Sequence, residues 1–213
     1  MPDSCIPTKP GNYPSDCEIT AGLRTMAANR PKQTMEKDKK LALSKAKHVK
    51  LLLLDVDGVL TDGTLIYTHD GKESKMFNTQ DGFGLRLIGE AGIDTGVITA
   101  RKSDVVARRA TELSMRYIYQ GSGNKLDAYK EIMKQSGLKP FEIGYMGDDW
   151  LDLALLNRVG FAAVPANAVS EVKEIAHYVT NQPGGHGAVR EVCDLLLESR
   201  NMLTTCLQDY MNR

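Results

Sequence analysis

Asp55 and Asp57 stand two residues apart, with Gly58 directly after them, in the stretch V-K-L-L-L-L-D-V-D-G-V-L-T-D-G from Val49 to Gly63. Two neighbouring carboxylates repel when both are ionised, and a divalent cation with a preference for hard oxygen ligands relieves the conflict; the residue types suit Mg²⁺. D-x-D alone is equally what a solvated acidic turn looks like, so the pair takes its meaning from its company. That company stands at three later points: Thr99 closing Val97-Ile98-Thr99, Lys125 after Gly121-Ser-Gly-Asn124, and Asp148 in Gly147-Asp148-Asp149. A phosphoryl group needs this set. Thr99 and the amide of Ala100 can hydrogen-bond its oxygens, Lys125 brings charge beside a helix N-terminus, and Asp148 can complete a metal site.

These residues meet only if the chain delivers them to one place. Four consecutive leucines after Val49 are too few to cross a membrane and too uniformly apolar for a half-exposed strand, so they predict a central strand buried on both faces. Further strands are expected over Thr95–Thr99, Tyr117–Tyr119, Ile143–Met146 and Phe161–Val164. Between and after them the spacing predicts helices over Ser103–Leu113, Lys125–Gln135, Trp150–Arg158, Val169–Ala176 and Val189–Glu198. The alternation predicts an α/β fold: a doubly wound, mainly parallel, Rossmann-like sheet with right-handed crossovers, which binds ligands at the carboxyl ends of its strands. Between Gly63 and Asn78, the runs Thr64–Thr68 and Lys72–Phe77 flank His69-Asp70-Gly71 and predict a β-hairpin. Asn78–Gly82 reads as a second turn, with a helix from Phe83 to Glu90 stopping at Gly92.

With 213 residues, 42% of them hydrophobic, there is room for one domain over 49–200. Five of the eight prolines fall in residues 1–35, expected to be a flexible extension; 36–48 reads as a basic lead-in helix and 201–213 as a C-terminal tail. Lys plus Arg and Asp plus Glu number 27 each, which gives no sign of a nucleic-acid partner or an acidic membrane surface. No apolar run is long enough to span a bilayer and the N-terminus lacks the order of a secretory signal, so a cytoplasmic protein is expected. Cys5, Cys17, Cys193 and Cys206 show no C-x-x-C spacing and read as reduced, non-catalytic thiols, a Cys5–Cys17 pairing staying open.

From Val49 to about Arg200 the sequence resembles the haloacid dehalogenase superfamily of aspartate-nucleophile phosphotransferases, through D-V-D-G-V, V-I-T-A, the lysine at 125 and G-D-D-W-L-D. The resemblance implies that Asp55 attacks phosphorus and that Asp57 protonates the leaving oxygen, then deprotonates the attacking water. It also implies that Asp55, Asp148 and the main-chain carbonyl of Asp57 hold Mg²⁺, with Thr99 and Lys125 on the phosphate. About 40 residues separate Asp57 from Thr99 and about 25 separate Thr99 from Lys125, too few for a cap domain. A neighbouring subunit is then the natural lid, docked through the hairpin.

The finer pattern is similar to the capless, tetrameric family of 3-deoxy-D-manno-octulosonate 8-phosphate phosphatases of lipopolysaccharide precursor synthesis. It rests on F-N-T-Q-D-G-F-G-L-R at 77–86, I-T-A-R-K at 98–102, Y-Q-G at 119–121, N-K-L at 124–126 and G-G-H-G-A-V-R-E-V-C-D-L-L-L at 184–197. The resemblance implies substrate contacts from Asp57, Asn78, Thr79, Gln80, Asp81, Gly82, Arg86, Arg101, Arg109 and Lys125, in a homotetramer without nucleic-acid or membrane partners. Ala100 stands where glycine is usual and His186 where arginine is. Phosphatases for a nine-carbon keto-acid phosphate share the motifs but tend to carry an acid where this chain has Arg101. A non-catalytic tetramerisation module of the same fold tends to lose the acids kept here, and a receiver domain has no counterpart of Asp57.

Overall fold

The structure, a computed structural model, describes residues 32–213, with side chains from Lys39 onward. The Cys5–Cys17 pairing and the expected extension as far as residue 31 lie outside the described residues. Helix α1 spans Lys32–Ala46, and Asp38–Arg213 forms one compact unit.

Strand β1 (Leu51–Leu54) is buried along its whole length and runs parallel to β4 (Asp94–Ile98) on one side and β6 (Ile143–Met146) on the other. Leu54 pairs in register with Val97 and with Met146, so Asp55, Thr99 and Gly147 all emerge from the same edge. The six-stranded parallel sheet has the order β5-β4-β1-β6-β7-β8, with β5 at Tyr117–Tyr119, β7 at Phe161–Val164 and β8 at Tyr178–Val179. The chain moves outward from β1 through β4 to β5, then returns across β1 to start β6. At that change of direction the loops diverge, opening a crevice at the carboxyl end of β1.

Successive strand residues face opposite sides, which is why an all-leucine strand has to be covered twice. Leu52 and Leu54 pack in a layer with Ala42 and Ala46 of α1, Leu85 and Ile88 of α2 (Thr79–Glu90), and Val192 and Leu196 of the late helix α7 (Ala188–Ser199). Leu51 and Leu53 pack with Ala128 and Ile132 of α4 (Lys125–Ser136) and with Leu155 of α5 (Leu153–Leu156). Helix α3 covers Asp104–Glu112 and α6 covers Ser170–Ile175. Truncating one of these leucines to alanine costs about 2–5 kcal/mol, because it forfeits transfer energy and leaves a cavity.

Several expected boundaries move. Asn78–Gly82 is not a free turn but the start of α2: Asn78 is its N-cap, and its side chain accepts hydrogen bonds from the amides of Gln80 and Asp81 at 2.7 and 3.4 Å. An asparagine cap followed by an early glycine imitates a turn in sequence. The helix expected over Trp150–Arg158 divides into a 3₁₀ turn at Trp150–Asp152 and the short α5. Strand β8 has only two residues, too few to leave a pattern. The stretch 201–213 carries helix α8 (Leu203–Met211), whose neighbour Met202 and residues Leu203, Cys206 and Tyr210 pack against the core, Tyr210 meeting Phe83 edge to face at 5.3 Å.

The hairpin forms as β2 (Ile66–Tyr67) and β3 (Glu73–Ser74), antiparallel, with Tyr67 opposite Glu73. It stands away from the sheet: Leu65 and Ile66 are exposed, Tyr67 is 61% exposed and Met76 65%. Phe77 differs, lying partly buried against the core.

Candidate active site

At the carboxyl edge of β1 the acids gather around one lysine. Lys125, the first residue of α4, is buried, with its Nζ 2.9 Å from Asp55 and 2.6 Å from Asp152. Asp152 is fully buried and its acceptor positions are filled: Oδ1 takes Lys125 and the hydroxyl of Tyr145 at 2.5 Å, while Oδ2 takes the amides of Asp148 at 2.9 Å and Asp149 at 3.3 Å. A carboxylate offers about four acceptor sites, so Asp152 ties the lysine to the turn that carries Asp148. Asp148 is held less completely, its buried Oδ1 having no hydrogen-bond partner.

One oxygen from each of Asp55, Asp148 and Asp152 lies within 4.8 Å of the others. Burial raises Asp55 to about 6, with Lys125 opposing the rise and Asp152 adding to it. Burial and then the charges of Asp55 and Asp152 raise Asp148 to about 7. Burial would lower the Lys125 ammonium, but Asp55 and Asp152 outweigh it and the net direction is upward, so the lysine keeps its charge. Clustered acids with one buried oxygen unpaired fit a hard divalent cation, and Asp55 and Asp148 are the two side chains with acceptor capacity to spare for it. Gly58 makes the arrangement compact. It has φ +89°, and a Cβ there would collide with the Asp148 carboxylate, so only glycine lets the loop after Asp57 close over that acid.

Asp57 faces different partners. Its carboxylate is bonded by Lys75, the residue just past β3, and lies 3.6 Å from Nε of Arg101. Lys75 also reaches Glu73 at 2.9 Å, and Arg101 donates to Glu73 and to the Tyr67 hydroxyl, each at 3.1 Å. The hairpin is thus fastened over the site by charge. Thr99 is buried just past β4, its hydroxyl 3.5 Å from the amide of Arg101. Outside glycine, positive φ among the described residues occurs only at Ser114 and Asn201, so Ala100 needs no glycine.

The expected substrate segment is only partly free. Asp81 is buried and accepts from the amides of Gly187 and Arg190 at 3.4 and 2.8 Å, which caps α7. Its oxygens therefore serve helix packing, a role its position three residues after Asn78 does not reveal. Gly82 leaves room for the guanidinium of Arg109, which sits 5.9 Å over the Phe77 ring and 3.5 Å from Glu112. Thr79 and Gln80 are exposed on the first turn of α2. Arg86 is 61% exposed, 3.9 Å from Glu90, and takes no part in the charge cluster around Asp57. The structure brings together Asp55, Asp57, Thr99, Arg101, Lys125 and Asp148; Arg86 stands apart from them.

Residues missing from the sequence expectations are Asp152, Tyr145, Glu73 and Lys75. Asp152 belongs to G-D-D-W-L-D, yet its partners Lys125 and Tyr145 lie 27 and 7 residues away, so no local spacing marks it. Cys193 is buried and Cys206 half-buried, both as free thiols, and burial pushes the Cys193 thiol well above its ordinary value.

Residues 97–192 match the model of the haloacid dehalogenase-like hydrolase family. The 3-deoxy-D-manno-octulosonate 8-phosphate phosphatase KdsC of Escherichia coli (strain K12) is 40% identical over 161 residues, 76% of this chain and 86% of the relative. Among solved structures, the phosphatase of that name from Moraxella catarrhalis, in complex with a magnesium ion, a phosphate ion and a KDO molecule, is 40% identical with TM-score 0.78. It covers 79% of this chain and 97% of the other. The cobalt-bound deoxy-D-mannose-octulosonate 8-phosphate phosphatase from Haemophilus influenzae is 34% identical with TM-score 0.72, covering 75% and 93%.

Proposed function

Because the chain belongs to the 3-deoxy-D-manno-octulosonate 8-phosphate phosphatase family of haloacid dehalogenase-like hydrolases, we propose that it releases phosphate from that sugar-acid phosphate through an aspartyl phosphate on Asp55. The observation that carries this reading is the strand-end cluster, with Lys125 2.9 Å from Asp55 and an unpaired Asp148 oxygen beside it. Asp55 attacks phosphorus while the bond to the sugar oxygen breaks, and that oxygen takes a proton from Asp57. Asp57, now a carboxylate, accepts a proton from water as the water oxygen bonds to phosphorus and the acyl phosphate bond to Asp55 breaks. Free phosphate leaves and both aspartates return to their starting states.

Thr99, the Ala100 amide and Lys125 hold the phosphoryl oxygens in this scheme. Asp55, Asp148 and the main-chain carbonyl of Asp57 hold Mg²⁺, which neutralises phosphoryl charge when bound. The likeness to a relative solved with magnesium, phosphate and KDO supports the metal and the substrate class. Arg101 receives the sugar carboxylate, for which a planar guanidinium is well shaped, and the exposed Thr79 and Gln80 on the first turn of α2 complete substrate recognition. The exposed Leu65, Tyr67 and Met76 support a homotetramer docked through the hairpin. A water-soluble sugar-acid phosphate as substrate supports a cytoplasmic enzyme of lipopolysaccharide precursor synthesis.

Phosphate release from a panel of eight- and nine-carbon keto-acid phosphates, with Mg²⁺ and with chelator, tests the reading. Turnover is expected on the octulosonate ester and is lost with chelator. Undiminished turnover without divalent metal, or a clear preference for the nine-carbon ester, would overturn it.

A further inference from the structure

An almost fully buried lysine is out of place on an exposed two-stranded ribbon. The neighbours of Lys75 along the chain, Ser74 and Met76, are exposed, whereas the Lys75 side chain is only 1% exposed. A lysine buries its ammonium only where partners replace the lost water. Here they are two carboxylates: Asp57, on the loop after β1, and Glu73, two residues before it in β3. Glu73 in turn accepts from Arg101, and the hydrogen bond from Lys75, followed by that from Arg101, holds its carboxyl below the usual range. Burial would push the Lys75 ammonium down, but the bonds to Asp57 and Glu73 outweigh it.

We propose that Lys75 is a positioning residue for the phosphatase reaction: bonded to one oxygen of Asp57, it fixes the carboxyl group so that the other oxygen is aimed at the leaving oxygen of the substrate. This rests on the reading of Asp57 as proton donor given above. Asp57 sits on a loop that turns at Gly58, and among the described residues its Oδ1 has Lys75 alone as ion-pair partner, while Oδ2 is 3.6 Å from Arg101. Without Lys75 the Asp57 side chain regains rotamer freedom, and only a fraction of its orientations deliver a proton. The ribbon then does more than close the site. Seating it, by whatever surface covers Tyr67 and Met76, also seats the acid.

The test exploits leaving groups. An alkyl phosphate such as the octulosonate 8-phosphate needs its leaving oxygen protonated, whereas p-nitrophenyl phosphate expels a stable phenolate and barely needs an acid. In Lys75→Met, kcat/KM for the alkyl ester is expected to fall roughly 10- to 100-fold, within the range general acid catalysis supplies. For the aryl ester it should fall less than about threefold, and Lys75→Arg should recover most of the alkyl loss. Equal losses for both esters would overturn the proposal, making Lys75 an anchor for the ribbon or a phosphate contact, and so would an unchanged Lys75→Met. Wild-type turnover of both esters, abolished by Asp55→Asn, separates these outcomes from failure of the underlying reading. An inactive wild type would sink both.

Discussion

Two groups of charges border the same crevice, and they are supported in opposite ways. Asp55, Lys125, Asp148 and Asp152 sit past the ends of buried strands, on the first turn of α4 and in the 3₁₀ turn Trp150–Asp152, joined by hydrogen bonds to one another, to Tyr145 and to backbone amides. Asp57, Glu73, Lys75 and Arg101 join a loop to a two-stranded ribbon that buries little of its own. A ribbon of that size is marginal alone, and its position depends on these ion pairs. The nucleophile and the lysine beside it are anchored in the sheet. Proton transfer by Asp57, and recognition, which has to admit and release a substrate, rest on the part that can yield.

This contrast makes ordered expectations. The largest effect belongs to Asp55→Asn, which should lower phosphate release by at least about 1000-fold while circular dichroism and melting stay near those of the wild type, since the nucleophile is lost and the fold is not. Near-normal release would remove Asp55 from its role and dissolve the contrast. Asp152→Ala should harm both stability and turnover. It strands the buried Lys125 and frees the Asp148 turn, at a cost of about 3–5 kcal/mol in denaturant melts. A variant that keeps its stability and loses only KM would show that this acid belongs with the recognition side.

Acidity sharpens the sheet side further. With Asp55 at about 6 and Asp148 at about 7 against an ordinary 3.8, the folded, metal-free protein binds more protons than the unfolded chain between these values. Stability should therefore fall as pH rises through roughly 4 to 7, by up to about 7 kcal/mol in all. Mg²⁺ should raise the melting temperature more at pH 8 than at pH 5; an equal rise at both would place the metal elsewhere. On the ribbon side, Arg101→Ala should raise KM for the sugar-acid phosphate roughly tenfold or more and leave a small phosphate ester within about threefold. The smallest effect on the folded chain is that of Tyr67→Ser with Met76→Ser. Thermal stability of the isolated chain should change little, and light scattering should show a tetramer replaced by smaller species.

Most of the sheet side is legible in the sequence. Leu51–Leu54 and Ile143–Met146 occupy the strands expected of them, because burial on both faces leaves an uninterrupted apolar run that stops just before the acids of the candidate site. Asp152 and Tyr145 escape such reading because their bonds to Lys125 close only in three dimensions. The ribbon side is legible as a hairpin and illegible as a network. Nothing about Glu73 and Lys75 distinguishes them from solvated charges until the hairpin is seen to bring both to Asp57 and Arg101. At Asn78–Gly82 the cap and the early glycine disguise a helix start, and α8 follows Arg200-Asn201 with no apolar signal strong enough to predict it.

Asp81 has a bearing on engineering. Because it caps α7 across 106 and 109 residues of sequence, the segment that opens α2 and the loop before α7 form a single exchangeable part. A graft of 78–82 from a relative with different substrate preference carries only half of that part, and the recipient helix keeps amides shaped for a carboxylate that the insert has to supply. Chimeras that move 78–82 together with 184–190 should express and fold, whereas those that move either stretch alone should be recovered poorly whenever the incoming residue at 81 is not an acid.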